Sequence, residues 1–296
     1  MTIVIAGGSG FLGRKLTELL LSGGHQVVIL SRTGGRANTV AWKPDGSPGE
    51  VPQHLDGVDV VVNLAGEDLA ATRWTRARKE SLRMSRILAT RTLVRAIGAC
   101  ARPPRIFLSG SAIGYYGPHG DEPVTEDAAP GSDFLARLCV EWEEEARAAA
   151  SERTRVVILR TGLALAADGG ALPRMLLPFR MGLGATLGPG IQFMPWIHAD
   201  DWAAMVSWAM HSERVAGPLN VTAPEPVTNR AFTRTLGRVL KRPAVLHAPS
   251  FVLQAALGEM SAMLLTGQRV LPAHAERLGF RFMHRTLESA LRSLNL

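Results

Sequence analysis

The sequence predicts an α/β fold built on an open, doubly wound parallel sheet, with a smaller, mainly helical C-terminal domain. Three observations predict it. Strand-like apolar runs alternate with helical patterns through the first half of the chain. The first strand, turn and helix are joined by a glycine-rich turn. After about residue 165 the alternation gives way to glycines and prolines, then to helical segments.

Taken in order, Thr2–Ala6 is a short β-branched and apolar run, as a strand buried on both faces requires. Gly7, Gly8, Ser9, Gly10, Phe11, Leu12 and Gly13 form the turn. Leu12, Leu16, Leu19 and Leu20 then repeat at helical spacing until Gly23 and Gly24, which read as a C-cap. Residues 26–30 read as the next strand, completing a unit that favours a right-handed crossover. Residues 58–64 read as a strand, 75–101 as a long arginine-studded helix, 105–109 as a strand, 132–150 as a helix and 155–165 as a strand. Residues 169–195 read as loops over a binding cleft. Helical patterns return at 201–210 and Asn229–Leu240. The tail, 251–296, reads as helical with a strand-like stretch at 279–282. The expected division is a dinucleotide-binding domain over 1–165, with 195–225 packing back onto it, and a substrate domain over 166–194 and 226–296.

The 296 residues are 46% hydrophobic and 20% charged, ordinary for a globular protein that folds on its own core. Cys100 and Cys139 form no CxxC pair, and a reducing cytoplasm is expected. The longest apolar stretch, 252–265, is broken by Gln254, Gly258, Glu259 and Ser261, so no membrane partner is expected. The opening residues carry no basic n-region, so no signal peptide is expected. The net charge is +7, but of the 33 basic residues only Lys15, Lys43, Lys79 and Lys241 are lysine. That skew fits a GC-rich genome, and no nucleic-acid partner is expected. The histidines show no HExxH spacing and two cysteines cannot build a zinc site, so no metal is expected. Oligomeric state is left open, a homodimer included.

Gly7, Gly10 and Gly13 form a GxxGxxG pattern between strand and helix. Glycine there permits the tight turn, lets backbone approach a pyrophosphate and lets the helix pack on the strand. The helix N-terminus offers free N–H groups to phosphate. Arg14 stands where a P-loop needs lysine, which excludes that motif. The cofactor-binding candidates are Gly7, Ser9, Gly10, Phe11, Leu12, Gly13, Ser31, Arg32, Leu64, Ala65, Gly66 and Ser109. Arg32 lies nineteen positions after Gly13, where an acidic residue would bind ribose hydroxyls. An arginine instead grips a 2′-phosphate, which favours NADP over NAD.

These residues carry a resemblance. Gly7, Gly10 and Gly13, the 63–66 turn, and Ser109-Gly110-Ser111 leading to Tyr115-Tyr116-Gly117 resemble an extended short-chain dehydrogenase/reductase, the NAD-dependent epimerase/dehydratase superfamily, whose fold is Rossmann-type. A closer similarity is to its atypical "epimerase family protein" branch. That similarity is carried by Arg73-Trp74-Thr75 through Arg78-Lys79 with Ser85-Arg86, by Gly114, Phe134-Leu135, Cys139 and Trp142-Glu143, and by the 196–201 and 222–229 runs. In the tail it is carried by Leu257 to Met260, Gly267 to Val270 and Gly279-Phe280. The resemblance implies a catalytic serine, a tyrosine, and a lysine four residues beyond it. Ser111 matches the serine, with Ser109 its nearest rival, and the only tyrosines are Tyr115 and Tyr116. No register of the 132–150 helix supplies the pair: Asp133 with Arg137, Phe134 with Leu138, or Leu135 with Cys139.

The lysine ordinarily lowers the tyrosine pKa so that phenolate acts as a base. Without it, oxidation is disfavoured, whereas reduction needs only a proton donor. The expected catalytic set is therefore Ser111, Tyr116 and Tyr115, in an NADP-dependent oxidoreductase reducing a carbonyl-type small molecule. The alternative is a non-catalytic dinucleotide-sensing or partner-binding protein that keeps the cofactor site. Arg137 is a candidate replacement for the lysine charge. Arg73, Arg76, Arg78 and Lys79 are candidates to bind an anionic substrate. One of Asp200 and Asp201 is expected to cap the helix that starts there.

Overall fold

Strands that must bury both faces are apolar along their buried length, and β1 (Thr2–Ala6) follows that rule from Ile3 onward. Its Ile3 and Ile5 enter one core while Val4 and Ala6 enter another. This computed structural model describes residues 1–35 and 38–296. After β1 come α1 (Phe11–Ser22), β2 (Gln26–Ser31), β3 (Thr39–Ala41), α2 (Val51–Leu55), β4 (Val60–Asn63) and α3 (Arg76–Ala99). Then follow β5 (Ile106–Ala112), β6 (Pro123–Val124), α4 (Phe134–Arg147), β7 (Arg155–Thr161), β8 (Leu163–Leu165) and α5 (Leu172–Arg180). The chain continues through β9 (Ala185–Leu187), β10 (Phe193–Met194), β11 (Trp196–His198), α6 (Ala199–His211), β12 (Gly217–Val221), β13 (Val227–Thr228) and α7 (Asn229–Leu240). It ends with β14 (Leu246–Ala248), α8 (Ser250–Leu257), α9 (Ala262–Leu265), β15 (Arg269–Val270), α10 (Ala273–Arg277) and α11 (Leu287–Ser293).

Seven strands form one all-parallel sheet in the order β12-β7-β5-β4-β1-β2-β3. The chain runs outward from β1 to β3, then returns and runs the other way from β4. The reversal between β1 and β4 opens a crevice at the strand C-termini, where such sheets bind ligands. Helices α1 and α6 cover one face through Leu16, Leu20, Trp202 and Met205. Helix α3 and the end of α4 cover the other through Leu93, Ile97 and Ala146. A separate core joins α5, α7 and α11 through Leu176, Phe179, Leu236 and Leu291.

The predicted 155–165 strand is two strands. It breaks at Gly162, where a Cβ would lie 2.5 Å from the Pro195 carbonyl oxygen, so the chain bends to let β11 approach β8. The glycine- and proline-rich 169–195 stretch contains α5 as well as loops. Residues 279–282 form no strand: Gly279 takes a φ of +88°, and Phe280 and Phe282 turn inward onto the first core.

The cap of α6 is also different from expectation. His198, not an aspartate, is its N-cap, with Nδ1 accepting the Asp200 N–H at 3.1 Å. Asp201 is fully buried and accepts the N–H groups of Met283 and His284 at 2.7 and 2.9 Å, holding the C-terminal tail onto α6. His198 is buried, and its ring centroid lies 4.3 Å from that of His284. Burial lowers its pKa, with Asp200 and Asp201 opposing and His284 and Lys15 assisting. The unfolded chain therefore binds the proton first as pH falls. This histidine's stabilising contribution is complete above about pH 6.5 and is lost below it. We expect the melting temperature to fall between pH 7.5 and 5.5. His198→Asn, which keeps a capping acceptor, should reduce that slope, and an unchanged slope would remove His198 as its source.

Candidate active site

The glycine turn is set by contacts no side chain would allow. Gly7 has a φ of +78°, and a Cβ on it would lie 2.7 Å from the Leu64 carbonyl carbon and oxygen. A Cβ on Gly13 would lie 2.4 Å from the Gly7 carbonyl oxygen. Gly10 is the N-cap of α1, its side-chain-free backbone open to solvent. The turn after β1 thus meets the 64–66 turn through Gly7, and the first turn of α1 meets the turn after β1 through Gly13, both at backbone contact distance. Ser9 is exposed, and its carbonyl accepts from Arg14 at 3.0 Å. Leu12 packs into the first core. Phe11 lies flat under Gly169 and Gly170, where a Cβ would lie 2.3 and 2.9 Å from its ring. That glycine pair belongs to the site and was legible only as a loop.

At the far end of the crevice, Ser31 ends β2 and its hydroxyl accepts the Thr33 N–H at 3.4 Å. Arg32 is exposed, and its guanidinium has no protein partner among the described residues. On the other side of the reversal, Asn63 holds the Leu64–Ala65–Gly66 turn. Its amide accepts the Ala65 N–H at 3.2 Å and donates to Thr90 at 2.8 Å. These residues fit a dinucleotide: a backbone cradle that a Cβ would fill, a helix N-terminus and an unpaired cation lie along one crevice.

The catalytic candidates part company. Ser109 is fully buried, with its hydroxyl on the Gly110 carbonyl at 3.4 Å. Ser111 is 5% exposed and donates its proton to Glu143 at 2.7 Å. Glu143, fully buried, also accepts from Arg160 at 2.8 and 2.9 Å and from Arg147 at 2.7 Å. Arg160 donates to the Tyr116 hydroxyl at 2.9 Å, and that hydroxyl donates to Asn220 at 2.6 Å. Tyr116 is fully buried, and burial pushes its pKa up to about 12. Tyr116 is thus a member of an internal network, with no access for a substrate. Tyr115 is half-buried, its ring centroid 3.5 Å from the Arg160 guanidinium carbon, and its hydroxyl is unpartnered among the described residues.

The same network anchors the tail. The Glu126 carboxylate accepts the N–H groups of Asn220 and His274, and the Asn220 amide donates to the Leu271 carbonyl at 2.9 Å. Strand β15 pairs with β6 beside it.

Of the three helix registers, Leu135 with Cys139 faces the site. A Cβ on Gly114 would lie 3.2 Å from Leu135 Cβ and 4.0 Å from Cys139 Sγ. Burial, reinforced by the Glu143 carboxylate, pushes the Cys139 thiol up to about 12. Asp133 instead caps α4, and Arg137 bends back to the Ser132 carbonyl on the exposed face. Arg137 therefore does not replace the lysine. The cation next to this site is Arg86, which sequence reading placed on an ordinary arginine-rich helix.

The basic residues at the mouth are already engaged. Lys79 pairs with Glu259 at 2.7 Å, Arg78 with Glu67, and Arg174 with Asp68 at 2.9 Å. Arg73 donates to the Ala255 carbonyl at 3.0 Å, and Trp74 packs edge-on against Phe134 at 5.3 Å. Only Arg76 of the four basic candidates stays outside these contacts. No group of three or more His, Cys, Asp or Glu among the described residues is placed to hold a metal. No described helix is long and apolar enough to cross a membrane.

Residues 3–222 match the NAD dependent epimerase/dehydratase family, and residues 248–294 match a domain of unknown function, DUF1731. Epimerase family protein YfhF of Bacillus subtilis is 41% identical over 99% of this chain and 98% of its own length. Epimerase family protein Mb2239 of Mycobacterium bovis is 42% identical over 98% of this chain and 96% of its own. The crystal structure of human epimerase family protein SDR39U1 (isoform 2) with NADPH superposes with a TM-score of 0.93. It has 36% identity and covers 99% of each chain.

Proposed function

The chain belongs to the NAD-dependent epimerase/dehydratase family, and from that premise we propose that it binds NADP(H) and reduces a carbonyl group on a small molecule. Arg32, exposed at the β2 end of the crevice and without a partner among the described residues, carries the cofactor half of this reading, and the similar human protein crystallised with NADPH supports it. The cofactor would be held by the Gly7–Gly13 turn, the 64–66 turn and Arg32, and it supplies a hydride when bound. The direction of reaction follows from this chain's own residues. Leu135 and Cys139 lie against Gly114, beside the turn that carries the tyrosines, and their helix, which has no lysine, cannot draw a phenol toward phenolate as a Tyr–Lys pair does. A neutral hydroxyl can still give a proton, and the Tyr115 hydroxyl has no partner among the described residues. With Lys79, Arg78 and Arg174 paired, the mouth favours an uncharged, partly aromatic substrate over the anionic one that the sequence suggested. The unpaired Cys100 and Cys139 fit a reducing cytoplasm.

The test is NADPH consumption against a panel of aldehydes and ketones. Tyr115→Phe should lower turnover by about 10²-fold, and turnover that survives it would sink the acid role. Tight NADPH binding with no turnover on any carbonyl would favour the sensing protein instead. That second reading draws on one observation: the network fully occupies Ser111 and Tyr116.

A further inference from the structure

Arg86 lies on α3 with 8% of its surface exposed. Its guanidinium donates to two main-chain carbonyls, Leu82 at 3.0 Å and Glu67 at 2.9 Å. No carboxylate among the described residues hydrogen-bonds it. The carboxylate of Glu67 is taken by Arg78 and Ser81, and that of Asp68 by Arg174. A buried charge without an ion-pair partner is costly, and a guanidinium cannot escape the cost by giving up its proton.

Its location gives that cost a use. A Cβ on Gly66 would lie 3.2 Å from Arg86 Cγ and Cζ, so the guanidinium lies directly against the 64–66 turn. The Trp142 ring lies 5.4 Å from it on the other side. Trp142 itself touches Gly110, where a Cβ would lie 3.2 Å from its ring, and Cys139, one turn earlier on α4, lies 4.0 Å from where a Gly114 Cβ would stand. Arg86 therefore backs the end of the crevice over β4 and β5, opposite Arg32 at β2. A dinucleotide with its 2′-phosphate at Arg32 and its pyrophosphate at the glycine turn lays its nicotinamide half against this end.

We propose that Arg86 is the fixed cation of the nicotinamide end of the crevice, where it disfavours the oxidised cofactor relative to the reduced one and favours negative charge developing on a substrate oxygen. The proposal rests on the NADP(H) reading above. It explains how the site can lack a lysine: the guanidinium supplies the lysine's positive charge but no proton, and in holding the reduced cofactor more tightly it raises the potential of the bound couple. A purely structural role, stapling the 64–67 turn to α3, makes a different prediction.

The experiment compares dissociation constants for NADP⁺ and NADPH in wild type, Arg86→Lys, Arg86→Gln and Arg86→Met. Two unit charges about 12 Å apart at an effective dielectric of about 20 change such a ratio by roughly tenfold. In the neutral variants the preference for NADPH should fall by about tenfold, and in Arg86→Lys it should stay within about twofold of wild type. Parallel loss of both affinities with an unchanged ratio overturns the proposal and leaves a structural staple. If the neutral variants do not fold, the wild type decides. Its bound couple should lie above the free couple, by roughly 30 mV for each tenfold of preference, and a bound couple at or below the free one overturns the proposal. Wild type that binds neither nucleotide removes the cofactor reading, and this one with it.

Discussion

Glu143→Ala should destabilise the protein by about 3–5 kcal/mol, because it leaves the Arg160 guanidinium buried without its carboxylate. Arg160 is 2% exposed and Glu143 is fully buried, so water cannot take over the lost contacts. The change also strands the Ser111 hydroxyl, whose proton Glu143 accepts. For a chain of this size a drop in melting temperature of roughly 5–15 °C follows. The double variant Glu143→Leu with Arg160→Met should recover part of the loss, since removing both charges removes the desolvation cost as well. Thermal unfolding of the single and double variants checks this. A single-variant cost below about 1 kcal/mol would mean that the pair is solvated in solution.

Arg32→Asp should weaken NADPH binding by about 10²-fold while changing NADH binding far less. The charge-assisted hydrogen bonds to a 2′-phosphate are each worth about 1.5–3 kcal/mol, and aspartate replaces them with repulsion. Arg32 is exposed and makes no protein contact among the described residues, so folding should be unaffected. Titration by nicotinamide fluorescence reads both nucleotides. Equal loss for NADPH and NADH would place Arg32 on the adenine ring, not on the phosphate.

The parts of the molecule that were legible in the sequence are those where one residue type alone will do. Gly7 and Gly13 face backbone at distances that exclude any Cβ, so the turn is written in the chain as glycine. Helix α7 begins and ends where its pattern predicts because Thr228 caps it and Lys241, in the left-handed region, stops it. The buried network was illegible for the opposite reason. Glu143 stands in a run of glutamates on a helix that looks solvated, and Arg160 follows the apolar 156–159 run in β7. A charged residue inside an apolar strand was the available signal. Its partner, seventeen residues earlier, is fixed only by how α4 lies on the sheet. Tyr115 and Tyr116 are neighbours in sequence, and only the short 3-10 turn at Ile113–Tyr116 decides which hydroxyl is enclosed. Arg86 was hidden likewise, since periodicity cannot tell a buried arginine from a solvated one on α3.

The two matched segments meet a border between residues 222 and 248, yet the hydrogen bonds ignore it. Glu126 and Asn220, both in the first segment, hold the main chain at Leu271 and His274 in the second, and β15 completes its pairing on β6. What reads as an appended module is therefore not an interchangeable part. A tail exchanged between relatives would arrive without its hydrogen-bond partners unless the acceptor at residue 126 and the donor at residue 220 travelled with it. The two segments are thus bound to a shared evolutionary fate: drift in one is tolerated only where the other supplies the matching donor, and the cofactor half cannot be retooled without its tail.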